Sequence, residues 1–190
     1  MNRLDVVAGP NGAGKSTFIA VTLAPLLPRS VVVNADEIAR QRWPDDPTAH
    51  SYDAARTAAD TRAKLIVTGR AFIAETVFSH PSKLDLVRSA GNAGYVVALH
   101  VMLIPENLAV ERVRQHVLHG GHHVPKDKIR ARHRRMWPIL AEAIELADIA
   151  TVYDNSRLDG PRIIAQLTAG VIIGEPAWPA WAPGEFQHRW

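Results

Sequence analysis

The stretch Gly9-Pro10-Asn11-Gly12-Ala13-Gly14-Lys15-Ser16-Thr17 fits the phosphate-loop pattern G-x-x-x-x-G-K-[ST] at every fixed position. Its flanks decide the fold. Before it, Leu4-Asp5-Val6-Val7-Ala8 is a short apolar run suited to a buried parallel strand. After it, Phe18-Ile19-Ala20-Val21 continues a helix that stops near Pro25 and Pro28. Strand, loop and helix in this order predict a nest of backbone N–H groups at a helix N-terminus, which receives the β- and γ-phosphates of a nucleotide. Gly9, Gly12 and Gly14 let the backbone bend and approach closely. Lys15 adds a cation at the transferred phosphate, and the Ser16 hydroxyl is placed to ligate Mg2+. An ordinary Gly-rich turn lacks these flanks.

Working outward, Val31-Val32-Val33-Asn34-Ala35-Asp36 reads as a second strand whose C-terminal edge carries Asp36. Trp43 to Pro47 is a loop. Ser51 to about Leu65 is an Ala-rich helix in which Arg56, Asp60 and Lys64 recur every four residues as a solvated, salt-bridged face. Arg70 to Thr76 reads as a third strand ending in Glu75 and Thr76, followed by a helix from about Ser79 to Ser89 and the turn Gly91 to Gly94. Tyr95 to Leu103 is an apolar strand buried on both faces, in which His100 reads as a hydrogen-bonded core residue. Pro105 opens a helix to about His119, the Gly120-Gly121 pair breaks it, and Lys126 to Ala147 resumes a helix. Ile149 to Tyr153 reads as a fifth strand, Asp154 to Arg157 as a loop, and Pro161 to Ala169 as a last helix. The tail from Gly174 to Trp190 shows no periodicity and is expected on the surface. Five alternating strands predict an α/β fold, a parallel doubly wound sheet in one domain, with a lid over about 119–135.

Composition narrows the function classes. At 190 residues and 47% hydrophobic, the chain can bury one sizeable core. Without cysteine it has no disulfide framework, zinc-thiolate site or thiol nucleophile. No leader pattern or apolar span long enough for a bilayer is visible, so a cytoplasmic protein without membrane contact is expected. The formal charge of +3 suits either a nucleotide enzyme or a nucleic-acid binder, so local placement decides. The basic segment from His119 to Arg135 has the position of a lid that closes over phosphates; a solvated helix face and a nucleic-acid patch are its alternatives. Trp137 is the sole ring near it, so base stacking is poorly served and nucleic acid is not expected as a partner. His116, His119, His122 and His123 lack carboxylate or thiolate companions at metal-ligand spacing.

With these residues in view, the chain resembles the zeta toxin family of P-loop phosphotransferases from about Val6 to Arg157. The resemblance rests on the phosphate loop, Asn34-Ala35-Asp36-Glu37-Ile38-Ala39, Glu75-Thr76-Val77-Phe78-Ser79 and Gly94-Tyr95. It extends to Gly120-Gly121-His122-His123-Val124-Pro125, Ala147-Asp148 and Tyr153-Asp154-Asn155-Ser156. It implies a Mg2+-dependent kinase using ATP (or GTP) on a hydroxyl of a small molecule. Characterised family members act on the 3′-hydroxyl of the sugar in UDP-N-acetylglucosamine, and an antitoxin protein is a partner the family allows. Carried over by position, Lys15 and Ser16 match the nucleotide and metal residues. Asp36 matches the aspartate that takes the acceptor's proton, and Glu75 with Thr76 matches the substrate-binding pair. Where a lid arginine is expected shortly before Gly120-Gly121 stands His116, with Arg112 and Arg114 nearby; Arg132 and Arg135 are candidates for the second.

By their chemistry alone, these residues supply each part of phosphoryl transfer to a hydroxyl: a phosphate cradle, a metal site, cations, and a proton acceptor. If the third strand lies beside the first, Glu75 comes closest to the metal and binds it through water, while Asp36 faces the second substrate. Asp36 also has the type and place of an N-cap for a helix beginning near Glu37. Asn155 to Arg157 read equally well as a lining for the nucleotide base and as a surface turn. A kinase of another acceptor (an antibiotic, a sugar, a nucleic-acid end) and a non-catalytic nucleotide switch remain the competing classes.

Overall fold

The computed structural model describes residues 2–118 and 124–190. Strand β1 (Arg3–Ala8) buries all but its first residue because it lies inside the sheet. It pairs in parallel with β3 (Phe72–Thr76) on one side and β4 (Val96–Leu103) on the other. Outside these lie β2 (Val31–Val33) and β5 (Ile149–Asp154), also parallel. This is the expected doubly wound α/β core, with β3 beside β1.

The helices are α1 (Lys15–Phe18), a π-helical turn (Ile19–Leu23), α2 (Ala24–Leu26), α3 (Ala35–Arg42), α4 (Ser51–Val67) and α5 (Ser82–Asn92). They continue with α6 (Glu106–Leu118), α7 (Lys126–Leu146) and α8 (Gly184–Gln187). Alternation along the strands sorts side chains between two cores. Val7, Ile73 and Met102 pack with Phe18, Ile19 and Leu23 from the helix after the loop and with Val113 of α6. Val6, Ala74 and Leu99 face the opposite side, with Val87 of α5 and Met136, Leu140 and Ile144 of α7. Each such large side chain contributes about 1.5–3 kcal/mol on burial, so the phosphate loop is anchored at both ends in packed structure. Among the described residues, no helix is long and apolar enough to cross a membrane.

The sheet has seven strands where five are expected from sequence, in the order β2-β3-β1-β4-β5-β6-β7. Pro161–Ala169 is not a helix: β6 (Arg162–Thr168) runs antiparallel to β5 and turns into β7 (Val171–Ile172). The spacing of Ile163, Ile164 and Leu167 suits a helix, but the turn decides. Ala169 and Gly170 both have positive φ, at 47° and 75°, as a two-residue type I′ hairpin turn demands. The C-terminal tail is also more than surface covering. Phe186 of α8 is fully buried, and its ring packs edge-on against Trp137 of α7 and Trp190.

Asp5 and His100 form a buried polar pair under the phosphate-loop helix. The fully buried Asp5 carboxylate accepts two hydrogen bonds from Arg3, at 2.7 and 2.8 Å, and one from His100 Nε2 at 3.0 Å. Burial pushes the Asp5 pKa up, but the hydrogen bonds from Arg3 and His100 outweigh it and hold the carboxyl below its ordinary value. Ionised Asp5 therefore stabilises the fold above the ordinary carboxylate pKa, and that contribution is lost as pH falls through the lower folded value. Asp5→Asn should cost roughly 2 kcal/mol at neutral pH, the scale of hydrogen bonds to a charged group. It should also flatten the fall in melting temperature below about pH 4. Parallel acid limbs in the two melting-temperature profiles would contradict this assignment.

Candidate active site

Register brings the site together. Ala8 pairs with Thr76 and Val33 with Ala74, so the loops leaving β1, β2 and β3 open side by side at the C-terminal edge of the sheet, where ligands of such sheets bind. Residues that follow β1 and β2, together with Glu75 at the end of β3, line one cleft of about 900 Å³, among them Asn11, Gly12, Gly14, Lys15, Ser16, Thr17, Asn34 and Asp36.

The loop's shape depends on close backbone approaches. Gly14 has φ 79° and caps α1, and a Cβ there would stand 2.6 Å from Asn155 Nδ2. A Cβ on Gly9 would meet the Met102 carbonyl oxygen at the same distance, 2.6 Å. Pro10 and Ala13 are the buried side chains of the loop ahead of Lys15. The Lys15 side chain, 7% exposed, donates from Nζ to the Pro10 carbonyl at 2.9 Å. Burial pushes the Lys15 pKa down from its ordinary value; Glu75 and Asp36 oppose the shift, and Arg132 adds to it. The cradle thus holds a desolvated cation with two carboxylates in electrostatic reach, and the buried Asn11 Oδ1 has no hydrogen-bond donor among the described residues.

Glu75 lies directly beside Ser16. Its two oxygens accept from Ser16 Oγ at 3.0 and 2.9 Å, and Oε2 also accepts from Asn34 Nδ2 at 2.7 Å. These hard oxygens suit Mg2+. No group of three or more His, Asp or Glu among the described residues is arranged to hold a metal ion. A cation here would therefore take its remaining ligands from phosphate oxygens and water, as is usual for Mg2+. Thr76, expected beside Glu75 in the site, accepts from the Phe78 backbone N–H at 3.2 Å and is not among the described residues lining the cleft.

Asp36 is in the first turn of α3 rather than at the end of the strand, and it is not the N-cap. Asn34 takes that position, its Oδ1 accepting from Asp36 N at 2.8 Å and Glu37 N at 3.4 Å. The Asp36 side chain is exposed to the cleft. Among the described residues it has no hydrogen bond or ion pair, which leaves it open to a ligand.

Of the expected cations, Arg132 of α7 acts on this charge cluster. Burial lowers its pKa, Asp36 raises it, and Arg135 lowers it further. Arg135 is exposed one turn along. Arg112 has a different setting, donating to the Asn155 carbonyl at 2.9 Å and, more weakly, to Ser156 and Gly12 carbonyls at 3.4 and 3.5 Å. Asn155 in turn donates from Nδ2 to the Ala13 carbonyl at 2.8 Å. Arg112 and Asn155 therefore brace the phosphate loop against the end of β5. His116 lines the cleft, whereas His119, Gly120, Gly121, His122 and His123 of the expected lid and hinge lie outside the described residues. Arg56 and Lys64 stand on the exposed face of α4.

The sequence reading passes over Asn34 and gives Asn155 no bracing role. A helix-capping residue type before Ala35 is the only local signal for the first; the second depends on long-range packing.

The zeta toxin family model matches residues 2–159. Among solved structures, the chain is similar to one in the AvrRxo1-ORF1:-ORF2 complex with ATP, at 13% identity and a TM-score of 0.70, over 91% of this chain and 60% of that one. It is similar to a chain of the PezAT chromosomal toxin-antitoxin system of Streptococcus pneumoniae at 14% identity and a TM-score of 0.63, over 100% of this chain and 84% of that one. Shikimate kinase from Acinetobacter baumannii in complex with shikimate matches at 18% identity and a TM-score of 0.52, over 74% of this chain and 79% of that one. At these identities the likeness is one of fold. The chain spans 60% of the length of its AvrRxo1 relative. No curated protein matches it at a significant level.

Proposed function

Since this chain belongs to the zeta toxin family, we propose that it is a kinase transferring the γ-phosphoryl group of ATP (or GTP) to a hydroxyl of a small molecule. A UDP-N-acetyl amino sugar is the acceptor we favour, from the family. The observation that carries the reading is the Asp36 carboxylate, which has no hydrogen bond or ion pair among the described residues and lies in the same cleft as Lys15 and the Ser16–Glu75 pair. A phosphate loop alone serves any nucleotide, but a carboxylate on the first turn of α3, in one cleft with Glu75, supports a second substrate.

In the proposed reaction, the acceptor hydroxyl oxygen bonds to the γ-phosphorus while the bond from that phosphorus to the bridging oxygen of the β-phosphate breaks. The hydroxyl proton passes to Asp36. The electron pair of the broken bond leaves with the β-phosphate, where Lys15 and the loop N–H groups meet the growing charge. Mg2+ bound by Ser16, and by Glu75 through water, would add charge neutralisation. Arg132 is assigned to the transferring phosphoryl group with Arg135 behind it. Arg112 holds the cradle in shape.

Arg132→Ala should lower kcat about thirtyfold, matching roughly 2 kcal/mol for one charge-assisted contact. Arg135→Ala should have a smaller effect, and Arg112→Ala should chiefly weaken nucleotide binding. Arg56→Ala and Lys64→Ala should leave steady-state rates unchanged. Equal losses across both groups would remove any special role for α7.

The acceptor is tested by supplying UDP-N-acetylglucosamine and other hydroxyl compounds with Mg·ATP. One of them should raise ATP consumption and appear as a stoichiometric phosphorylated product. ATP binding without product from any acceptor would leave a nucleotide switch. We propose further that the enzyme works in the cytoplasm and that an antitoxin protein restrains it, so expression in bacteria without that partner should slow growth.

A further inference from the structure

Asn34 uses both ends of its amide. The oxygen accepts from the N–H groups of Asp36 and Glu37, and the nitrogen donates to Glu75 Oε2 at 2.7 Å. The assignment is fixed chemically, since backbone N–H groups only donate and an ionised carboxylate only accepts. One side chain thus ties the carboxylate beside Ser16 to the first turn of the helix carrying Asp36.

The tie has mechanical weight because β2 is an edge strand of only three residues, held to the sheet by β3 alone. The place of α3 relative to the phosphate loop therefore depends on contacts beyond the strand ladder. The bond from Asn34 also anchors one oxygen of Glu75, which fixes how the carboxylate faces Ser16.

We infer that Asn34 is a positioning residue, which sets the spacing between the cation-binding pair Ser16 and Glu75 and the proton acceptor Asp36. The inference rests on the kinase reading for the role of Asp36, but not for the link to Glu75. Other residue types satisfy only part of the requirement. Serine caps a helix but is too short to donate to Glu75. Aspartate caps equally well yet would set a second carboxylate against the first.

Parent, Asn34→Ser and Asn34→Asp would be compared by melting temperature, by calorimetric binding of ATP with and without Mn2+, and by kcat. Asn34→Ser should melt with the parent and bind metal-free ATP as the parent does. It should bind Mn2+·ATP about tenfold more weakly and lose about tenfold in kcat, the usual scale for a residue that orients a metal ligand. Asn34→Asp should retain or tighten Mn2+·ATP binding through its added charge, yet lose at least as much kcat. That split between affinity and turnover is not what a merely structural residue produces.

The inference is overturned if Asn34→Ser matches the parent in both Mn2+·ATP affinity and kcat, or if its losses only track a fall in melting temperature. Should the parent phosphorylate no acceptor while Asn34→Ser still weakens Mn2+·ATP binding, the link to Glu75 stands and the kinase reading is what fails.

Discussion

Lys15→Ala is expected to lower phosphoryl transfer on the order of 10³-fold, the upper scale for removing one preorganised group that stabilises transition-state charge. It should do so without unfolding the chain. Lys15 is almost fully buried and donates to the Pro10 carbonyl. Its pKa is pushed down mainly by burial, so folding pays a desolvation cost for the charged form that alanine does not incur. The lost hydrogen bond offsets part of that relief, so stability should stay within about 1 kcal/mol of the parent. Melting curves and acceptor-dependent ATP turnover check both halves. Transfer at the parent rate would end the kinase reading, and early melting would make Lys15 chiefly structural.

Asp36→Asn should separate binding from chemistry. A group that takes the acceptor's proton acts mainly in the transition state, so the variant should bind Mg·ATP almost as the parent does. It should transfer phosphate on the order of 10²-fold or more slowly, the usual size of general-base help. Stability is a sharper control because Asn34, not Asp36, caps α3. Asparagine at position 36 removes only an acidic side chain near a helix N-terminus, worth about 0.3–1 kcal/mol. If the parent is toxic on expression in bacteria, Asp36→Asn should abolish toxicity while nucleotide affinity remains measurable. A fully active or fully toxic variant would send the proton elsewhere.

The parts of the site that depend on local sequence were legible in it. The phosphate loop announces itself by spacing and flanks, and the β-branched run before Asp36 and the short apolar run before Glu75 point to the edge where ligands bind. The strand order entered the sequence reading only as a condition, which the pairing of β3 with β1 meets. What depends on long-range contact was not legible. Nothing near Asn155 says that its amide reaches back to Ala13, or that Arg112 would close on the same turn. The Ala169-Gly170 turn lacks the usual Asn-Gly signature, so β6 read as a helix. Phe186 and Trp190 carry no periodic pattern, yet they pack against α7 and its neighbours. Asp36 combined both cases: its place just after the second strand was visible, but its position inside α3 rather than at the strand end or the cap depended on Asn34 taking the cap.

The most direct test of the central claim is to incubate the chain with γ-labelled Mg·ATP and a bacterial metabolite extract, and to identify labelled species by mass spectrometry. The account predicts one dominant hydroxyl-bearing small molecule that gains the γ-phosphoryl group with the parent protein and gains almost none with Lys15→Ala. Tight ATP binding by the parent, with no labelled metabolite above the Lys15→Ala background, would contradict it.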